Sequence, residues 1–224
     1  MEFLTLSTLK YSAYQFATTL SDVTINQIYG ITDGKAIGTY VEKAFNQYLS
    51  SRYIYTPGNT ASGIDFPELE VDLKVTSRRQ PQSSSPFRDA SQKIYGLGYN
   101  LLIFVYHKTD DNLCRTARLS IENVVFVERD RTADYQTSYG IREILRRNGN
   151  LDDIVAFLEE RNLPLDEVGR NMMAQRILTQ PPNQGYLTIS NALQWRLQYR
   201  RVIAIATENS VVGVENLLNE ENSR

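Results

Sequence analysis

A chain of 224 residues, 42% apolar and 22% charged, has the size and composition of one soluble globular domain, or of one with a small appended section. Its formal net charge of −2 supplies no overall basic field, so any nucleic-acid surface has to be local. One cysteine, Cys114, and one histidine, His107, exclude an internal disulfide, a multi-cysteine zinc site and a paired-histidine metal motif.

In residues 1–30, Leu6, Leu9, Ala13, Phe16 and Leu20 recur at steps of three and four, the pattern of an amphipathic helix. A second short helix is expected through Val23, Ile25 and Ile28. Both read as packing or subunit-contact elements. Residues 32–50 give a clearer helix. Thr32 and Asp33 stand ready to cap it, and Ile37, Val41, Ala44, Phe45, Tyr48 and Leu49 build its apolar face. Glu42 aligns with Gly38, Phe45 and Leu49, so it borders the buried side, where a carboxylate needs a partner or a metal. An intrahelical pair with Lys35 or Lys43, or plain exposure at the stripe's edge, are the alternatives. Pro57-Gly58-Asn59 and Ala61-Ser62-Gly63 mark a loop over 51–63.

The next stretch organises the chain. From Leu69 to Thr76 the residues alternate: Leu69, Val71, Leu73 and Val75 point one way, Glu70, Asp72, Lys74 and Thr76 the other. Asp72 and Lys74 then lie about 7 Å apart along one strand face. Asp65 precedes Asp72 between Gly63 and Pro67, with enough chain for a turn that returns its carboxylate beside Asp72. Two carboxylates and a lysine on a rigid strand are the minimal parts of a magnesium-dependent phosphodiesterase: oxygens for a hard cation, and an amine to orient water or support developing charge. The bland alternative is a solvated outer strand face.

Asp65 followed by Asp72-Leu73-Lys74 resembles the PD-(D/E)xK nuclease signature. The run from Asp65-Phe66-Pro67-Glu68-Leu69 to Val71-Asp72-Leu73-Lys74 is particularly similar to the bacterial methyl-directed mismatch-repair nicking endonuclease and its type II restriction enzyme relatives. The chain departs from the signature in having Ile64 where a proline usually precedes the first acid, and Asp72 in place of the commoner Glu. The resemblance implies a mixed central β-sheet flanked by helices and Mg²⁺ held by Asp65 and Asp72. It also implies a third acid from an early helix, Glu42 by position, and hydrolysis of double-stranded DNA by a homodimer acting on a palindrome.

Ser77 to Arg88 is polar, basic, rich in Ser and Pro and free of acids. It reads as a long loop whose Arg78, Arg79 and Arg88 can reach phosphates, or as an exposed connector. Ser91 to Tyr95 is a short helix that adds Lys93 as a phosphate candidate. Tyr99 to Tyr106 is a strand buried on both faces, with His107 as a boundary residue at its end. Asp110-Asp111-Asn112 is a turn, and Arg115 to Glu128 is one long strand or two. From Thr137 the pattern is helical, with a stop at Gly149-Asn150 and helices over 151–162 and 166–179. A helix-turn-helix reader fits this section without being required by it. From Arg170 to Thr207 there are five arginines and no acid. The expected recognition surface is this span, with Gln180, Asn183, Gln184, Arg196, Arg200 and Arg201 as contacts able to read base edges. The alternative is a basic helix that balances acids elsewhere, with Trp195 as core. Val202 to Ala206 reads as buried, and the acidic tail from Glu215 as frayed.

The expected architecture is α/β. N-terminal helices and a nuclease core occupy 1–135, and 136–224 form a mainly helical recognition or dimerisation section of the same domain. The expected function is a Mg²⁺-dependent, sequence-specific double-stranded DNA endonuclease of the type II restriction class. A strand-nicking repair endonuclease, a non-catalytic DNA-binding protein on the same core, and an unrelated α/β protein with a solvated acidic strand are the alternatives. No signal peptide or membrane-spanning run is visible, and the expected location is the cytoplasm.

Overall fold

A computed structural model describes residues 1–58, 63–190 and 194–219. In chain order the elements begin with β1 (Glu2–Phe3), α1 (Leu6–Ser21), β2 (Thr24–Ile25), α2 (Gly34–Ser50), β3 (Tyr53–Ile54) and β4 (Val71–Ser77). Then come β5 (Gln82–Ser85), α3 (Ser91–Tyr95), β6 (Asn100–Asp111), β7 (Thr116–Val127), α4 (Tyr135–Arg146) and α5 (Leu151–Glu160). The last are α6 (Glu167–Thr179), β8 (Thr188–Ser190), β9 (Trp195–Gln198), α7 (Arg200–Glu208) and β10 (Val214–Asn216). Packing divides the chain into two compact units: 1–83, 101–127 and 202–224 form one, and 84–100 with 128–201 the other. The chain therefore passes between units at four places, whereas the sequence suggested a single division near residue 135.

The first unit is built on a mixed α/β plan. Its sheet runs in the order β10-β7-β6-β4, with β2 also paired to β7. Helix α1 starts on a Thr5–Thr8 capping box, and Asp33 caps α2 by accepting the N–H groups of Lys35 and Ala36. The apolar faces of both helices cover one side of the sheet. Phe16, Phe45 and Phe104 meet there with ring centroids 5.1–5.8 Å apart, within a core that also holds Val41, Leu49, Val71 and Leu73. The helix expected through Val23 and Ile28 is absent. Thr24 and Ile25 instead pair with Arg118 and Ala117, because the outer edge of β7 needs backbone partners and the β-branched pair supplies them.

Side chains complete that edge. Ser21 Oγ accepts the Ile121 N–H at 2.9 Å, and Asn216 Oδ1 accepts the Val124 N–H at 3.1 Å. Leu217 N–H donates to Val124 O at 2.7 Å, and β10 pairs with Val125 to Val127. The tail expected to fray from Glu215 is thus integral as far as the described residues run: Glu215 meets Lys10, and Leu217 is buried. Strands β6 and β7 form one long antiparallel hairpin with a bulge near its middle. His107 lies inside β6 opposite Ser120, not at the strand's end, because β6 continues to Asp111. Asp111 then turns the chain by accepting the Leu113 and Cys114 N–H groups.

The second unit packs α3, α4, α5 and α6 around Ile94, Ile141, Ile154, Leu158, Ala174 and Ile177. A three-stranded sheet in the order β5-β9-β8 accompanies them. Two of these strands fall where helix or loop was expected, and β5 falls within the expected 77–88 loop. The reason is a period of two: Trp195, Leu197 and Tyr199 are buried while Arg196 and Gln198 are exposed. Trp195 is core, its indole N–H donating to Gln92 Oε1 at 2.9 Å. Asp134 ties α4 to β8: its carboxylate accepts the Thr137 N–H and hydroxyl and the Ile189 N–H at 2.9–3.1 Å. Among the described residues no helix is long and apolar enough to cross a membrane.

Candidate active site

A tight turn builds the site. Phe66 and Val71 exchange backbone hydrogen bonds of 2.9 and 3.1 Å around a single 3-10 turn, Pro67–Leu69. Glu70 closes the turn in the left-handed region at φ 52°. The strand therefore begins at Val71, and Leu69 belongs to the turn. Folding back in this way sets Asp65 next to Asp72. Its Oδ2 accepts the Leu73 N–H at 2.8 Å, which orients the carboxylate. Gly58 holds the same residue from behind, donating its N–H to Asp65 O at 2.7 Å. A Cβ on Gly58 would lie 1.9 Å from Ile64 O and 2.9 Å from Asp65 Cα, so only glycine allows this approach. The rest of the expected loop, 59–62, lies outside the described residues.

Asp72 is 4% exposed although it is charged in type. Lys74 Nζ stands 2.6 Å from its Oδ2. Burial pushes the Asp72 carboxyl up to about 7; the Lys74 ammonium opposes the rise, and a hydrogen bond with the Asp65 carboxyl adds to it. Glu42 enters from the edge of α2. Its carboxyl is raised first by burial and then by the Asp65 charge, with Lys74 working the other way. Its electrostatic neighbours are thus Asp65 and Lys74 rather than Lys35 or Lys43.

Two facing carboxyls with one of them unwilling to ionise are the chemistry of a hard-cation site, because a bound cation offsets the cost of a buried negative charge. Among the described residues no three acidic, histidine or cysteine groups stand close enough to enclose a metal. The donor set suits an ion that takes one or two carboxylates and fills its other positions with water and phosphate oxygens, as Mg²⁺ does.

The family model described as type II restriction enzyme NspV matches residues 3–216. The chain belongs to this family of type II restriction enzymes. The type II restriction enzyme NspV of Nostoc sp. (strain ATCC 29411 / PCC 7524) is 56% identical over 203 residues, which cover 91% of this chain and 92% of that protein. The crystal structure of tetrameric restriction endonuclease SfiI bound to cognate DNA covers 94% of this chain and 81% of its own, at a TM-score of 0.38 and 10% identity.

The remaining candidates of this NspV-family chain divide by unit. In the first, Arg79 is exposed and Arg78 bonds Glu122 Oε1 at 2.6 Å. In the second, Arg88, Gln180, Asn183, Arg196, Arg200 and Arg201 are exposed. Arg201 lies over the Tyr135 ring at 3.8 Å, and Asn183 Nδ2 reaches Asp130 at 3.5 Å. Lys93 and Gln184 are placed differently. Lys93 is 5% exposed; burial lowers its ammonium and the Asp134 charge opposes this. It is therefore an interior cation, not one offered to phosphate. Gln184 Nε2 bonds Tyr135 O, Ser138 Oγ and Gly185 O, which commits its amide to the start of α4. Strands β8 and β9, with Thr188 facing Gln198 and Ser190 facing Arg196, went unread in the sequence, although the Trp195–Tyr199 alternation carried the signal.

Proposed function

We propose that Asp65 and Asp72 hold Mg²⁺, that Lys74 positions the attacking water, and that Glu42 assists from α2, so that the first unit hydrolyses phosphodiester bonds of double-stranded DNA. The chain is a type II restriction enzyme by family and hence a site-specific deoxyribonuclease, which sets aside the strand-nicking and non-catalytic alternatives. Enzymes of this class generally need a divalent metal. The observation that carries the assignment of residues is the return of Asp65 to Asp72 with Lys74 2.6 Å away on the same strand. When bound, the cation activates water and offsets charge on the phosphate. The protein's own part is to hold two oxygens in fixed directions, Asp65 through the Leu73 N–H and Asp72 through burial, and to keep an ammonium at the reacting phosphate. Lys74, 2.6 Å from Asp72 Oδ2, steers the water by hydrogen bonding.

Base recognition is assigned to the second unit. Arg196, Arg200, Arg201, Gln180 and Asn183 present donors and acceptors suited to base edges, and Arg79 and Arg88 to phosphates. A palindromic target calls for a two-fold homodimer in which each protomer cuts one strand. Supercoiled plasmid incubated with the protein and Mg²⁺, with and without EDTA, tests the reading. Discrete fragments are expected with Mg²⁺ and none with EDTA or with Asp72→Asn. Full cutting by Asp72→Asn sinks the residue assignment.

A further inference from the structure

Leu73 on β4, Leu102, Phe104 and Tyr106 on β6, and Leu119 and Ile121 on β7 all point into the core shared with α1 and α2. Residues of opposite parity face the other side of the sheet. On β4 these are Asp72 and Lys74. Arg78 follows at the same parity just past the strand's end, where its N–H still bonds Tyr106 O at 2.9 Å. On β6 the opposite parity belongs to the buried Leu101, Ile103 and Val105 and then, nearer the hairpin turn, to His107. Arg78 and His107 thus share the sheet face that carries the catalytic pair.

Glu122 completes the group by an irregularity. In the β6–β7 register Val105 faces Asn123 and Tyr106 faces Ile121. Glu122 is therefore the extra residue of a β-bulge, the device by which a strand re-aims one side chain. Its Oε1 receives Arg78 Nη1 at 2.6 Å and lies 3.7 Å from His107 Nδ1. The Arg78 side chain is 51% exposed and that of Glu122 30%. The bond is therefore within reach of solvent, and an exposed ion pair is weak enough to exchange. Arg78 lies four residues beyond Lys74, roughly 13 Å along the strand direction, where a duplex centred on the catalytic pair offers flanking phosphates.

We propose that Glu122 stands in for a DNA phosphate: it holds Arg78 in the DNA-free enzyme, and a backbone phosphate must displace it before Arg78 engages the duplex. The bulge would then act as a restraint on sequence-independent binding. This rests on the reading of the Asp72–Lys74 face as the one that meets DNA.

The test uses fluorescence anisotropy of the full chain with a short labelled duplex of arbitrary sequence, in EDTA, at several salt concentrations. The proteins compared are the parent, Glu122→Gln, Glu122→Asp, Arg78→Ala and the Glu122→Gln/Arg78→Ala pair. Arg78→Ala is expected to weaken binding severalfold and to lower the salt slope by about one. Glu122→Gln is expected to tighten binding roughly three- to fivefold when Arg78 is present and by much less when it is absent. Glu122→Asp keeps the charge but shortens the arm, and should tighten binding as well. An equal gain from Glu122→Gln in both backgrounds, with Glu122→Asp like the parent, means that Glu122 only repels DNA, and overturns the proposal. No effect of Arg78→Ala on affinity or salt slope refutes instead the DNA-facing reading of this sheet face, and the proposal with it. Thermal melts of all five confirm that the comparison is between folded proteins.

Discussion

Replacing Asp72 by asparagine separates what the site costs from what the fold gains. Burial raises this carboxyl to about 7 from an ordinary 3.8. A rise of about three units amounts to roughly 4 kcal/mol for ionising Asp72 in the cation-free fold, at about 1.4 kcal/mol per unit. The folded chain keeps that proton almost to neutrality, whereas the unfolded chain releases it near pH 4. The folded state therefore binds more protons across this window, and stability falls as pH rises through it, then levels off above about pH 7. Asp72→Asn removes the cost of the charge and also removes the 2.6 Å ion pair with Lys74. The expected balance is a gain of about 1–3 kcal/mol at about pH 8 and no gain, or a small loss, at about pH 5. Urea unfolding in EDTA, followed by circular dichroism at both pH values, measures it. A loss of the same size at both would refute the idea that burial of the charge dominates. In a second arm, Mg²⁺ should stabilise the parent, more at the higher pH where no proton competes, and leave Asp72→Asn unchanged.

Other outcomes follow from the same structure. Lys74→Met should lower the cleavage rate roughly a hundredfold or more while DNA binding in EDTA persists, read by plasmid digestion and anisotropy in parallel. Gly58→Ala should reduce cleavage steeply although Gly58 carries no chemistry, because its methyl would displace the Ile64–Asp65 backbone; a far-ultraviolet dichroism spectrum like the parent's would show that the defect is local. Asp134→Ala should destabilise the protein by about 3–5 kcal/mol, since a buried cation, Lys93, faces this carboxylate, as measured by urea midpoint. Phe45→Ala should cost about 3–5 kcal/mol by opening a cavity among Phe16, Phe66 and Phe104.

The constellation at Asp65, Asp72 and Lys74 was legible because its spacing is local. Strand alternation sets Asp72 and Lys74 on one side, and Gly63 and Pro67 announce a turn within reach of them. Helix α2 was legible for the same reason: one cap and a regular apolar stripe. The register of β6 on β7 was not, because a bulge is decided by which side chains fit across a pair of strands, and the sequence shows no skipped residue at Glu122. The burial of Lys93 is not visible in the sequence because a lysine on a five-residue helix reads as surface by default. Only the packing of α3 against the start of α4 brings it to Asp134. Strand β2 reads as helix in the sequence because Val23, Ile25 and Ile28 fit either period over so short a run, and the partner that decides, β7, lies about ninety residues away.

The outer margin of β7 is closed by pieces from opposite ends of the polypeptide: Ser21 and β2 near the start, Asn216, Leu217 and β10 near the finish. During synthesis the early pieces wait for their partner strand, and the strand, once made, waits for residues nearly a hundred positions later. Until Asn216 clears the ribosome, Val124 to Val127 display bare amides and carbonyls to any passing β-segment. The interval between those two moments is when a nascent chain of this kind is most exposed to mispairing.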